Sequence, residues 1–305
     1  MPAMQDEPTQ FRMVEQAGLK IVKTFDMTSV VSERASSTII GHKRVAESPT
    51  LPISSSTHVV MVDETELAKE DRSLAFKRTY PELICESVAR GSGAQRIASA
   101  LSGEQFRFAR DEINVPWRCA AVSAHIQQSA VNLTALKADA DFLGLLPISP
   151  VVIGAEWKPD IEIVNSFFRP GGDLGFLSLD SSRGLVGEDS HLVVGSVVAR
   201  FVGTKMVLGQ RIGVISFEAV GERFITAGYE FDSRQNMVTG SVSFKGAGWI
   251  EWNLLANRPH AIQYIESATE VITTIAMEWN GRPLACRIAS SESSSVLSGA
   301  WSPSK

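Results

Sequence analysis

The sequence predicts a mainly β protein, an antiparallel sandwich or barrel with a few flanking or inserted helices. Three observations predict it. From Ser129 onward, short apolar runs rich in β-branched residues recur at close spacing, separated by glycine and polar turns; this is the texture of antiparallel sheets, not of βαβ units. Gly154, Gly195, Gly213 and Gly228 fall inside or beside those runs, where glycine marks bulges or sharp coiling of a curved sheet. Helix-forming texture is confined to 64–103 and 261–277.

Taken in order, residues 1–17 read as a mobile arm, and residues 18–286 as a single domain. Gly18 to Phe25 is the first strand-like run, and Thr57-His58-Val59-Val60-Met61-Val62-Asp63 the next. A Pro/Ser-rich loop at 48–56 separates them. Glu64 to Arg78 is rich in helix formers, with Asp63 as N-cap and Glu66 completing a capping box. Pro81 ends that helix, Glu82 to Arg90 starts another, and a third spans Ala94 to Leu101. These make a helical insertion near 64–103. Strands then follow at 130–136, 150–157, 161–168, 173–180, 191–201, 211–217, 223–229 and 237–244. Ile262, Ile265, Ala268, Ile272, Ile275 and Ala276 recur at helical spacing, so 261–277 reads as an amphipathic helix packing on the sheets, although Val271 to Ile275 also reads as a strand. The final stretch, 287–305, is a Ser-rich tail expected to be disordered, with eight serines in the last seventeen residues.

Composition narrows the function classes. The hydrophobic fraction is 44%, the charged fraction 21% and the formal net charge −5, so no global positive field draws in a polyanion. Any nucleic-acid contact has to be local. Cys85, Cys119 and Cys286 form no C-x-x-C pair and read as small buried thiols of a reducing compartment. The polar N-terminus is unlike a signal peptide, and no apolar run approaches the ~20 residues of a membrane helix. The expectation is an intracellular protein.

No nucleophile elbow, phosphate-binding loop or dinucleotide fingerprint is present. His42, His58, His125, His191 and His260 never fall at metal-ligand spacing. No catalytic residue, metal or cofactor is therefore expected, and the chain does not read as an enzyme. Glu156, Asp160 and Asp180 could supply a carboxylate pair for glycosidic chemistry, but sequence alone does not set them across a cleft. Arg200, Lys205, Arg211, Arg223 and Lys245 recur near strand ends, with Phe244, Trp249 and Trp252 nearby. Cations plus stacking aromatics suit non-specific single-strand binding. The plainer reading is the solvated rim of a sheet with aromatics in its core.

One segment carries a resemblance. Gly154-Ala155-Glu156-Trp157, then Gly171-Gly172, then a run closed by Asp180, with Gly240 lying 60 residues beyond, resembles the core of the "30K" superfamily of plant viral movement proteins. The sequence departs from that pattern in the inserted Ala155, in a longer loop, and in Ser178 where the family has leucine. The match covers about thirty residues strongly. It implies a jelly-roll-like β-sandwich that binds single-stranded RNA without sequence preference and carries a viral genome cell to cell through plasmodesmata. It also implies self-association into oligomers or tubules, contact with host plasmodesmal and membrane-associated proteins, and binding of capsid protein through the tail. Asp180 would either cap the turn after its strand or touch a partner. A jelly-roll capsid subunit and a ligand-binding or carbohydrate-active sandwich are the alternatives.

Overall fold

Alternation of side chains sets the architecture. In β1 (Lys20–Ile40), Ile21, Lys23 and Phe25 are buried while Lys20, Asp26 and Thr28 face out. In β3 (Ile53–Lys69), Val59, Met61, Asp63 and Thr65 are buried in the same every-second-residue pattern. The computed structural model describes residues 7–40, 43–46, 53–89, 93–122, 133–138, 141–174, 192–231, 234–276 and 285–303. The remaining strands are β2 (Lys43–Ala46), β4 (Arg72–Ala89), β5 (Gln95–Ala98), β6 (Gln105–Ala109), β7 (Arg118–Ala121) and β8 (Glu156–Trp157). After them come β9 (Leu192–Val207), β10 (Gln210–Phe231), β11 (Arg234–Asn253), β12 (Arg258–Ala276) and β13 (Ala285–Pro303).

Among the described residues, thirteen strands form one antiparallel sheet, ordered β7-β6-β4-β3-β1-β13-β12-β11-β10-β9-β8, with β2 and β5 off this path. It is a meander of long strands that resembles a barrel, and its first and last long strands are neighbours. This differs from the crossed Greek-key order of a jelly roll. Apolar side chains line one face. Phe25, Phe217, Tyr264, Leu297 and Trp301 meet a segment laid against that face, from which Leu136, Phe142, Leu145, Val164 and Phe167 project. Aromatic rings interlock there, with Phe167 at 4.4 Å from Tyr264 and Phe25 edge-on to Trp301 at 5.4 Å. Gly299 sits opposite Phe25 because a Cβ there would fall 2.7 Å from its ring.

Several expectations are corrected. The helical insertion is absent: residues 64–69 continue β3, 72–89 form β4, and 95–98 form β5. Glu70 and Asp71 both adopt positive φ (52° and 61°), making a tight hairpin turn of the type that matches strand twist. Pro81 does not end a helix. It lies in β4 where the register against β3 shifts between Val60 and Val62, and a bulge tolerates its missing N–H. The amphipathic helix expected over 261–277 is instead strand, since β12 runs through Arg258–Ala276, and the competing β-branched reading of 271–275 is the one observed. The Ser-rich tail is not a loose end, since 285–303 pairs with both β1 and β12. Serine suits exposed positions of a strand whose alternate residues, Leu297 and Trp301, reach the core.

Residues 7–17 are not a free arm either. Phe11 and Met13 are buried, Phe11 packs edge-on against Phe201 at 5.2 Å, and Trp252 Nε1 donates to the Arg12 carbonyl (3.1 Å). Val14 N–H donates to the Asn257 carbonyl and Glu15 N–H to that of Asp71, so the segment ties two hairpin turns together. The strand expected over 161–168 is a 3₁₀ turn (Ile161–Ile163) followed by α1 (Val164–Phe167), opened by the Asp160 side chain accepting from Glu162 N–H. Of the strand expected over 150–157, only Glu156–Trp157 pairs as a named strand, while the described part of 130–136 includes a 3₁₀ turn, Leu133–Ala135. Residues 211–217 and 223–229 belong to one unbroken strand, β10.

Candidate binding face and the buried charge cluster

Four charges lie inside the sheet. Asp63 accepts from Arg78 Nε (2.6 Å) and Nη2 (2.7 Å) and pairs with Lys23 Nζ (2.7 Å). Lys23 Nζ also donates to Asp141 (2.9 Å), whose other oxygen accepts from Trp301 Nε1 (3.0 Å). Arg78 further donates to the carbonyls of Lys137 and Ala138, both at 2.8 Å, and lies over the Phe76 and Phe108 rings. Arg78 is wholly buried and Lys23 is 2% exposed. Burial by itself would raise the Asp63 pKa; the Arg78 and Lys23 charges reverse that and hold it at about 2. Burial likewise pulls Lys23 down, but Asp141 and Asp63 outweigh it and leave its pKa raised. The two cations and two carboxylates thus balance, joining β1, β3 and β4 to the segment that covers them. This is the geometry of a fastening, not of an acid–base pair awaiting substrate.

Other reactive groups are muted. Burial pushes the Cys119 thiol up to about 11, so it is not a thiolate nucleophile at neutral pH. Cys85 and Cys119 are free thiols. His58 Nδ1 lies 2.7 Å from Asp26 Oδ1 in an exposed cross-strand pair. Among the described residues, no group of three or more His, Cys, Asp or Glu is placed to hold a metal.

The resemblance residues scatter by role. Gly154 has φ +87°, and its N–H donates to the Phe201 carbonyl, steering the chain into β8. Glu156 and Trp157 pair with Arg200 and Ala199. Trp157 Nε1 donates to the Leu145 carbonyl at 2.9 Å. Gly171 and Gly172 both need positive φ, and a Cβ on Gly172 would fall 2.2 Å from the Ala135 carbonyl oxygen. Gly240 lies within β11, opposite Ile225 and Ile272. Asp180, with most of the strand expected to precede it, lies outside the described residues.

The five candidate cations do not form one cluster. Arg223 points inward, forking onto Glu266 with two 2.7 Å bonds, and lies over the Phe244 ring at 4.1 Å. Tyr264 Oη donates to the same carboxylate (2.9 Å). Arg211 stands exposed at the start of β10. Arg200, Lys205 and Lys245 share the outer face with Trp249: Arg200, Ser216 and Trp249 are opposite one another across β9, β10 and β11. Lys205 pairs with Glu251 and sits 6.0 Å from the Trp249 ring. Glu218, Glu222 and Glu251 lie on the same face, as does Glu156 opposite Arg200, so carboxylates offset the cations there.

Sequence reasoning missed the most built feature of that face. Val30, Ser294, Ser267, Lys245 and Val220 stand opposite one another in β1, β13, β12, β11 and β10. Two residues along, Ser32, Glu292, Thr269 and Ser243 make a second row. Both rows border a recess of about 630 Å³. They alternate with the buried Phe244, Ala268 and Leu297, and so point away from the core. No local signal could reveal these rows, because they join residues as far apart as 30 and 294.

No protein-family profile matches the chain, and no curated protein matches it. Among solved structures the chain is similar to an outer membrane channel from Pseudomonas putida F1, with 8% identity over 99% of each chain and a TM-score of 0.25. It is similar also to Pseudomonas aeruginosa OccK2, with 5% identity over 95% of this chain and 100% of that one and a TM-score of 0.22. The Escherichia coli outer membrane protease OmpT gives 8% identity over 98% and 99%, with a TM-score of 0.21. At such TM-scores the likeness carries no argument about function. Among the described residues no helix is long and apolar enough to cross a membrane. The outward positions of the sheet mix polar residues such as Asp26, Glu218 and Lys245 with exposed apolar ones such as Val194, Val198, Val220 and Ile265.

Proposed function

We propose that this chain is a binding protein without catalytic chemistry, which takes an extended polymer across the outer face of its sheet. The observation that carries this reading is the recess crossing β10, β11, β12, β13 and β1. A polymer lying there meets five neighbouring strands of one sheet. The test is a block: Ser267→Tyr fills the middle of the recess. Any polymer retained by the wild type in native affinity gels should be released by this variant, and unchanged retention would refute the assignment.

A second reading follows the resemblance: carriage of single-stranded RNA between cells, with self-association and plasmodesmal partners. Arg200, Lys205, Lys245 and Trp249 on one face favour it, as backbone contacts beside a stacking platform. The balancing carboxylates weigh against it, as does the meander, since a jelly-roll belongs to the same resemblance. Its tail-mediated contact with capsid protein would need residues 285–303 to leave the sheet. This reading predicts salt-sensitive gel shifts with single-stranded RNA, with affinity falling steeply as salt rises. Absence of a shift at low ionic strength and micromolar protein would remove it. Puncta of a fluorescent fusion at plant cell walls would support it.

A further inference from the structure

We infer that the recess is a subsite for a neutral, extended, β-linked glycan chain lying at right angles to the strands. The inference rests on the polymer-binding reading above and names the polymer. Neighbouring strands are ~4.8 Å apart, close to the length of one sugar unit in an extended β-linked chain. A glycan crossing the strands therefore presents one unit per strand. Five of the nine side chains in the two rows are hydroxyls, Ser294, Ser267, Ser32, Thr269 and Ser243, all exposed on this face. A hydroxyl both donates and accepts, which matches sugar hydroxyls in either orientation.

Charge points the same way. Lys245 and Glu292 contribute one cation and one carboxylate to the lining, so the recess attracts neither a polyanion nor a polycation. Val30 and Val220, 47% and 50% exposed, stand at the two ends of the first row, where they can meet the C–H faces of the terminal units. An extended peptide adds along a sheet edge and parallel to the strands, so a trough across five strands is the wrong direction for it.

Affinity electrophoresis of the full chain through native gels containing hydroxyethylcellulose tests this, with single-stranded poly(U) RNA run in parallel. The wild type should be retarded by the glycan and not by the RNA. Ser267→Tyr should weaken glycan retention at least ten-fold, and the pair Ser294→Ala and Thr269→Val should weaken it severalfold. All three positions are exposed, and unchanged circular dichroism would show that the variants fold. Retention by RNA alone would overturn the glycan while sparing the polymer-binding reading. Retention by neither polymer would overturn both, and glycan retention unchanged in Ser267→Tyr would place the glycan elsewhere.

Discussion

Replacing Asp63 by Asn keeps the shape of the side chain and removes one charge from the core. Three contacts of 2.6–2.7 Å, two from Arg78 and one from Lys23, then lose their anionic partner. Both cations stay almost fully buried with Asp141 as the remaining carboxylate, leaving one uncompensated positive charge inside the sheet. Breaking a buried pair from one side costs about 3–5 kcal/mol, a large part of the ~5–15 kcal/mol available to a folded domain. Urea denaturation at neutral pH, followed by circular dichroism, should give a loss in that range. The pH dependence supplies an independent check. Folding lowers the Asp63 pKa from 3.8 to about 2, so ionised Asp63 contributes about 2 kcal/mol. That contribution is fully present above about pH 4 and is lost as pH falls through about 2. The gap between wild type and variant should therefore be flat near neutrality and narrow in that acid window. A loss below about 1 kcal/mol at neutral pH, or a gap that does not narrow in acid, would refute the electrostatic fastening.

Three further outcomes are expected. Gly172→Ala forces a Cβ to 2.2 Å from the Ala135 carbonyl at φ +92°, so it should cost at least about 2 kcal/mol and lower the melting midpoint by several degrees. An unchanged midpoint would show that the Gly-Gly pair is not held by backbone geometry. Phe11→Ala removes a buried ring packed on Phe201 and should cost about 3 kcal/mol, with faster tryptic cleavage after Arg12. Equal cleavage rates would argue against the seated N-terminal segment. Trp157→Phe loses the bond to the Leu145 carbonyl and should cost about 1 kcal/mol; full retention of stability would favour a partner-contact role for this tryptophan.

Strands were legible where alternation was strong. The run Thr57 to Asp63 announced the middle of β3, whereas the helical spacing of Ile262, Ile265, Ala268 and Ile272 misled at β12, where only the β-branched run at 271–275 hinted at the strand. The expectation failed at Glu64–Arg78 because helix propensity is a weak prior that sheet pairing overrides. Glu70-Asp71 also lacks the asparagine–glycine signature that marks such hairpins. It failed at 161–167, where Asp160 opens a helical turn inside an apolar run that reads equally well as a strand. The buried charge cluster left a trace that was passed over: Lys23 sits between Ile21 and Phe25 at an inward position, and a charge there needs a partner. The identity of that partner was not legible, since Asp63 and Asp141 come from distant parts of the chain. The hydroxyl rows were hidden for the same reason, register being a tertiary property.

The adjacency of β1 and β13 bears on how the chain is made. Residues 20–40 are synthesised well before residues 285–303, one of their two long partners. Until then β1 and β12 each present an open edge of unpaired backbone groups, a template for unwanted pairing. Contacts of such sequence separation fold slowly. Both edges close together when the serine-rich strand pairs with β1 and β12.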